Sequence, residues 1–153
     1  MEFGGKITIE TKVPVQKIWD TFLNDTSILC AVIPGGEKVD KVDDKTYQVV
    51  LRDGIGPFKF TFDMKAVLTN AVPPNHAEIE GEGQDKKGLG NFKMKMTMDL
   101  KDNGNGTLDV DYGVSATVGG KLGSFGDRIL NAKTKSMEKD IKTNLEKALK
   151  NIS

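Results

Sequence analysis

The sequence has 153 residues, with 22 Lys+Arg against 22 Asp+Glu and 37% hydrophobic residues. That length suits one domain over residues 1–153, large enough to bury a core without a disulfide or metal. The formal net charge of zero argues against nucleic acid as a partner, because such affinity rests on clustered cations. One Cys (Cys30) and one His (His76) cannot furnish a Cys/His zinc site.

Two of the cations are Arg, Arg52 and Arg128, so a fork-like site for phosphate or carboxylate is not expected. No stretch approaches ~18 consecutive apolar residues, and the first residues lack the basic and apolar regions of a signal peptide. The lone cysteine suits a reducing cytosol, so a cytoplasmic protein is expected.

The pattern changes period along the chain. Residues 2–10 alternate Phe3, Gly5, Ile7 and Ile9 with polar positions, which predicts a half-buried strand. Val15, Ile18, Trp19, Phe22 and Leu23 then fall on one helical face, with Pro14 suited to the first helical position. A second short helix follows, capped by Asp25 or Thr26 and ended by Pro34-Gly35-Gly36. Six further strands are expected: a weak edge candidate at 37–42, then 45–53, 58–69, 76–83, 91–101 and 107–118. Turns at 72–75 and 102–106 separate some of them. Such alternation implies antiparallel strands with one wet face. An apolar stripe of Leu122, Phe125, Ile129, Met137, Ile141, Leu145, Ala148 and Ile152 predicts a helix from about 121 to 151, roughly 45 Å long. The sheet is the one surface broad enough to cover it. The expected fold is α+β: a helix-grip, with a seven-stranded antiparallel sheet curved around a long C-terminal helix and two short helices after the first strand. A cavity can remain between sheet and helix.

Four segments carry a family resemblance. They are the start through Pro14 and Trp19, the turn Ile33-Pro34-Gly35, the strand entry Ile55-Gly56-Pro57, and Gly119-Gly120-Lys121-Leu122 before the last helix. In this order they resemble the START-like (SRPBCC, Bet v 1-type) superfamily, and within it the CoxG group, named for the CoxG subunit of carbon monoxide dehydrogenase. The resemblance implies an apolar internal cavity. It also implies association with molybdenum-containing carbon monoxide dehydrogenase or a related hydroxylase, with transient contact at the inner membrane face. Gly36 stands where members often carry a polar or Cys residue. Some members have a C-terminal tail proposed to reach the membrane, whereas this sequence ends at Ser153, so peripheral contact at most is expected.

The ligand-binding candidates are Phe58, Phe60, Phe62 and Met64 on one strand, Phe92, Met94, Met96 and Met98 on another, Tyr112, and Leu122, Phe125 and Ile129 at the last helix. Flexible, polarisable methionines suit irregular space; the same residues also suit ordinary core packing. Gly119, Gly120, Gly123 and Gly126 read as a mobile gate or as a frayed helix end with Ser124 and Asp127 in a capping box. Ala at Gly123 or Gly126 is expected to stabilise slightly where φ is negative. The loop 85–92 reads as a plain hairpin loop or, through Lys86, Lys87 and an exposed Leu89, as a lipid contact. His76 is expected to be solvated and Cys30 a small buried hydrophobe. Asp53 begins a turn or faces the cavity, and Lys133 interrupts the stripe as a snorkelling or cavity-facing cation.

These residues point to non-catalytic binding of a hydrophobic small molecule, lipid- or quinone-like, with no cofactor and no metal. Two alternatives stand beside it. One is an assembly factor without a ligand. The other is a polyketide cyclase/dehydratase-like enzyme, for which Asp53, Tyr47 and Tyr112 are the available inward acid/base groups.

Overall fold

A computed structural model describes residues 2–152 of the chain. Strand β1 (Glu2–Glu10) leads into helices α1 (Val15–Asn24) and α2 (Thr26–Val32). Six strands follow: β2 (Gly36–Lys41), β3 (Thr46–Ile55), β4 (Phe58–Val72), β5 (His76–Asp85), β6 (Gly90–Asp102) and β7 (Thr107–Gly120). A 3₁₀ turn (Lys121–Phe125) precedes the long helix α3 (Gly126–Ile152). The strands form one antiparallel sheet in the order β1-β7-β6-β5-β4-β3-β2. This is the expected helix-grip arrangement. Each period-2 run became a strand because its apolar parity faces α1, α2 and α3 while its charged parity faces water.

Local chemistry sets the joints. Pro14 is the N-cap of α1, with extended ψ 141°, rather than its first helical residue. Asp25 caps α2 by accepting from the Ser27 and Ile28 backbone N–H groups. Asp85 is buried at the end of β5, where its carboxylate accepts backbone N–H bonds from Thr61, Lys87 and Leu89 at 2.9, 3.0 and 3.1 Å. Burial opposes its ionisation, but those bonds outweigh it and hold the carboxyl below its ordinary value. The segment after Asp85 is therefore a fixed turn. Leu89 is half-buried against Phe60, Phe62 and Leu122 rather than exposed at a loop tip. His76 is also less free than expected. Its Nδ1 lies 2.7 Å from Asp99 Oδ1, a bond that raises the imidazole pKa.

Three apolar clusters make the core. One gathers Ile9, Val13, Ile18, Leu100, Leu108, Val110 and Leu149, closing the α1 end. A second packs Leu29, Cys30 and Ile33 near or on α2 over Val39, Tyr47, Val49 and Met64. The third sets Phe60, Phe62 and Leu122 with Phe58, Phe92 and Phe125 at the 3₁₀ end. There the rings meet at 5.2–6.3 Å between centroids, Phe60 and Phe62 stacked and the other pairs tilted or edge-on.

The last helix differs from expectation. Residues 121–151 are not one helix: Gly126, at φ +80°, breaks the 3₁₀ turn from α3. The break resets the helical phase. Ile129, which falls inward when the count continues from Phe125, is instead 44% exposed, and Leu130 takes the buried position at 8%. The capping box does not form either, since Ser124 Oγ donates to the Lys121 carbonyl. Gly120 sits at φ +66°, ψ −147°, a conformation open in practice to glycine alone. A Cβ there would lie 3.0 Å from Gly90 Cα.

The expected gain from Ala at Gly126 is thus reversed. Gly126→Ala and Gly120→Ala should each destabilise the fold by roughly 1–2 kcal/mol, the cost of a left-handed non-glycine residue. Gly123→Ala should be nearly neutral, because the helical gain meets a tight 3.3 Å contact with the Val118 carbonyl oxygen. Thermal melts of the three variants check this order.

A small-residue trench under the long helix

The inner face of the sheet is uneven, and register explains why. Four strands align Ala66 with Gly81, Gly81 with Met94, and Met94 with Ala116. Three of these four residues have little or no side chain, so the row is a small-residue trench across β4–β7, and the thioethers of Met94 and Met64 lie over it at Gly81. Met94 leans toward Gly81: a Cβ at Gly81 would lie 3.2 Å from Met94 Cγ and 3.7 Å from Met64 Sδ. The next row pairs Leu68, Ile79, Met96 and Val114. Met94 and Met96 are half-buried and belong to none of the three core clusters. At the end of the row below, Gly5 pairs with Tyr112, and a Cβ on Gly5 would meet nothing within 4 Å.

The expected site residues divide accordingly. Phe60, Phe62, Met64 and Leu122 are buried in packed clusters, with Phe58, Phe92 and Phe125 half-buried against them. Met98 packs at the α1 end. Met94, Met96 and Tyr112 face the trench region, and Ile129 faces outward. Gly119, Gly120, Gly123 and Gly126 lie together at the turn from β7 into α3. Sequence reasoning misses Ala66, Gly81 and Ala116. Each looks unremarkable alone, and the strand register alone assembles them.

Two polar bridges tie the middle of α3 to opposite sides of the sheet. Lys133 Nζ lies 2.7 Å from Asp53 Oδ1 on β3, with the two side chains 25% and 37% exposed. The Tyr112 hydroxyl on β7 donates to Glu138 Oε2. Asp53 also accepts from the Gly54 N–H at 2.8 Å. Burial and the Glu138 bond push the Tyr112 phenol far above its ordinary value. Tyr47 is likewise raised, by burial and by Asp44, and its hydroxyl donates to the Leu23 carbonyl. Asp53, Tyr47 and Tyr112 are thus each engaged in a structural bond. Among the described residues no group of three or more His, Cys, Asp or Glu converges as a metal site. No helix among them is long and apolar enough to cross a membrane. Of two open concavities of about 450 Å³, one lies between α2 and β2 and the other is lined by β1, β6 and β7 residues including Gly5, Lys6, Thr97, Asp111 and Tyr112.

A seven-stranded antiparallel sheet gripping a long C-terminal helix, with two short helices after the first strand, defines the helix-grip fold of START and Bet v 1 proteins, and solved structures agree. The chain matches a START superfamily protein from Mycobacterium smegmatis (TM-score 0.70, 8% identity, 99% of each chain covered). It also matches the Ara h 8.0201 structure (0.65, 14% identity, 99% of this chain and 98% of that one). A conserved protein from Geobacillus kaustophilus superposes at 0.87, with 26% identity over 99% of this chain and 96% of that one. No curated protein matches the sequence. The family model for CoxG, a subunit of carbon monoxide dehydrogenase, matches residues 5–150, and the chain belongs to that family.

The tyrosines give a pH prediction. A phenol whose folded pKa exceeds its unfolded value binds its proton more tightly when folded, so stability falls as pH rises above about 10. Ultraviolet titration of the folded protein should show little phenolate at pH 10, and Tyr112→Phe should lessen the alkaline loss of stability. A double-mutant cycle on Asp53→Asn and Lys133→Met should return a coupling of about 0.5–1 kcal/mol, given that both groups are partly exposed.

Proposed function

We propose that this chain binds a hydrophobic small molecule, lipid- or quinone-like, between the sheet and α3, and that it acts without catalysis as a carrier or adaptor for a molybdenum hydroxylase such as carbon monoxide dehydrogenase. The observation that carries the binding reading is the trench: Ala66, Gly81 and Ala116 in one row, with half-buried Met94 and Met96 outside every core cluster. A core built for tight packing fills such a row with branched side chains, whereas this one leaves adaptable thioethers on the inner face of the sheet. The ligand enters, in this reading, beside Gly119, Gly120, Gly123 and Gly126, where the backbone carries no side chains. The engagement of Asp53, Tyr47 and Tyr112 in structural bonds supports a role without general acid/base chemistry. The partner enzyme follows from the family name.

Native mass spectrometry of protein purified without detergent should show an apolar adduct at one per chain. Met96→Lys, which places an ammonium on the apolar floor, should lose the adduct while remaining folded by circular dichroism. A chain that is empty in every preparation, and that takes up no added apolar molecule, would overturn the reading.

A further inference from the structure

The charges that face the space beneath α3 are unequal. In the middle of α3 the half-buried charged residues are Lys133 and Glu138, directed to opposite sides of the sheet by Asp53 and Tyr112. Two carboxylates, Asp53 on β3 and Glu138 on α3, therefore stand against one ammonium beside the helix. That ammonium already faces Asp53 at 2.7 Å, so its charge is compensated. Other charged groups do not redress the balance. Asp85 is a third carboxylate, spent on three backbone N–H groups at the end of β5. Lys121 is exposed and lies over the Phe58 ring at the 3₁₀ end.

Resting on the apolar-ligand reading above, we propose that this lining rejects anions and takes an uncharged amphiphile whose polar end is an oxygen acceptor, a carbonyl or ether, directed to Lys133. The ammonium has three N–H donors, and Asp53 Oδ1 engages one. A neutral acceptor can take another without disturbing the ion pair. An entering carboxylate or sulfonate would instead meet the Glu138 and Asp53 carboxylates, and their repulsion acts at a partly exposed site where Asp53 is 37% exposed. Asp53 is thus a specificity residue: it cancels the one charge that would draw in an acid.

Two dyes with one skeleton test this on the full chain: uncharged N-phenylnaphthylamine and its sulfonated analogue anilinonaphthalenesulfonate. Binding is counted as the part removed by Ala116→Leu, which fills the trench. The wild-type protein should bind the uncharged dye about tenfold more tightly than the sulfonate, the effect of one uncompensated charge at partial burial. Asp53→Asn should raise sulfonate affinity about threefold and leave the uncharged dye within about 1.5-fold, since the free ammonium becomes an anion partner at a partly exposed site. Glu138→Gln keeps an acceptor for Tyr112 while removing a charge, and should shift the ratio in the same direction should Asp53→Asn fold poorly. Equal affinity of the wild type for both dyes, or a ratio that neither variant moves, overturns the charge selection and leaves apolar binding standing. Binding of neither dye overturns both.

Discussion

The structure depends on laying one long helix across a curved sheet that is too broad for it to cover. A helix of 27 residues has apolar side chains along one stripe, whereas the sheet offers seven strands of inward parity. The mismatch is met at the edges. Leu149 joins the cluster at the α1 end with Leu145 and Ile152 packed against it, and Leu122 and Phe125 anchor the segment just before the helix. Asn144 Nδ2 adds a bond to the Val32 carbonyl at the end of α2. Between these anchors the buried Leu130 and two polar bridges, from Lys133 to Asp53 and from Tyr112 to Glu138, fasten the helix to the sheet.

Polar fastening has a consequence for the interior. A buried polar group without a partner costs more than a hydrogen bond contributes, so such groups must be satisfied wherever they occur. Among the described residues no buried side-chain nitrogen or oxygen lacks a partner. Thr134, buried on α3, donates to the Leu130 carbonyl, and Tyr47 reaches across to Leu23. The bridges at Asp53 and Tyr112 therefore serve two purposes. They hold the helix over the sheet, and they give the partly buried polar groups on both elements their partners. The outer face follows different rules. There Lys95 faces Glu80 and Arg52 faces Glu37 in exposed pairs, which contribute solubility more than stability.

Most of the architecture is legible in the sequence because it rests on period alone. Phe3 through Ile9, Phe58 through Leu68 and Leu108 through Val118 alternate so regularly that strand type and facing follow from the pleat. The order of elements and the family motifs, from Pro14 to Gly119-Gly120-Lys121-Leu122, agree with the fold. The departures share a cause. A helical count extended through Gly126 turns Ile129 inward, but the left-handed backbone of that glycine ends the count. Leu89 reads as exposed because its segment is polar, while the Asp85 carboxylate organises that segment into a turn that buries it.

The sequence by itself determined the strands, the helices, their order and the parity of each face, because these follow from side-chain alternation within a few neighbouring residues. The trench, the two polar bridges and the phase of the last helix were decided by tertiary structure. Ala66, Gly81, Met94 and Ala116 come from four strands, and Lys133 lies 80 residues from Asp53. No local pattern links such positions. Strand register and the angle at which α3 leaves Gly126 bring them together, and both arise only when the whole sheet closes on the helix.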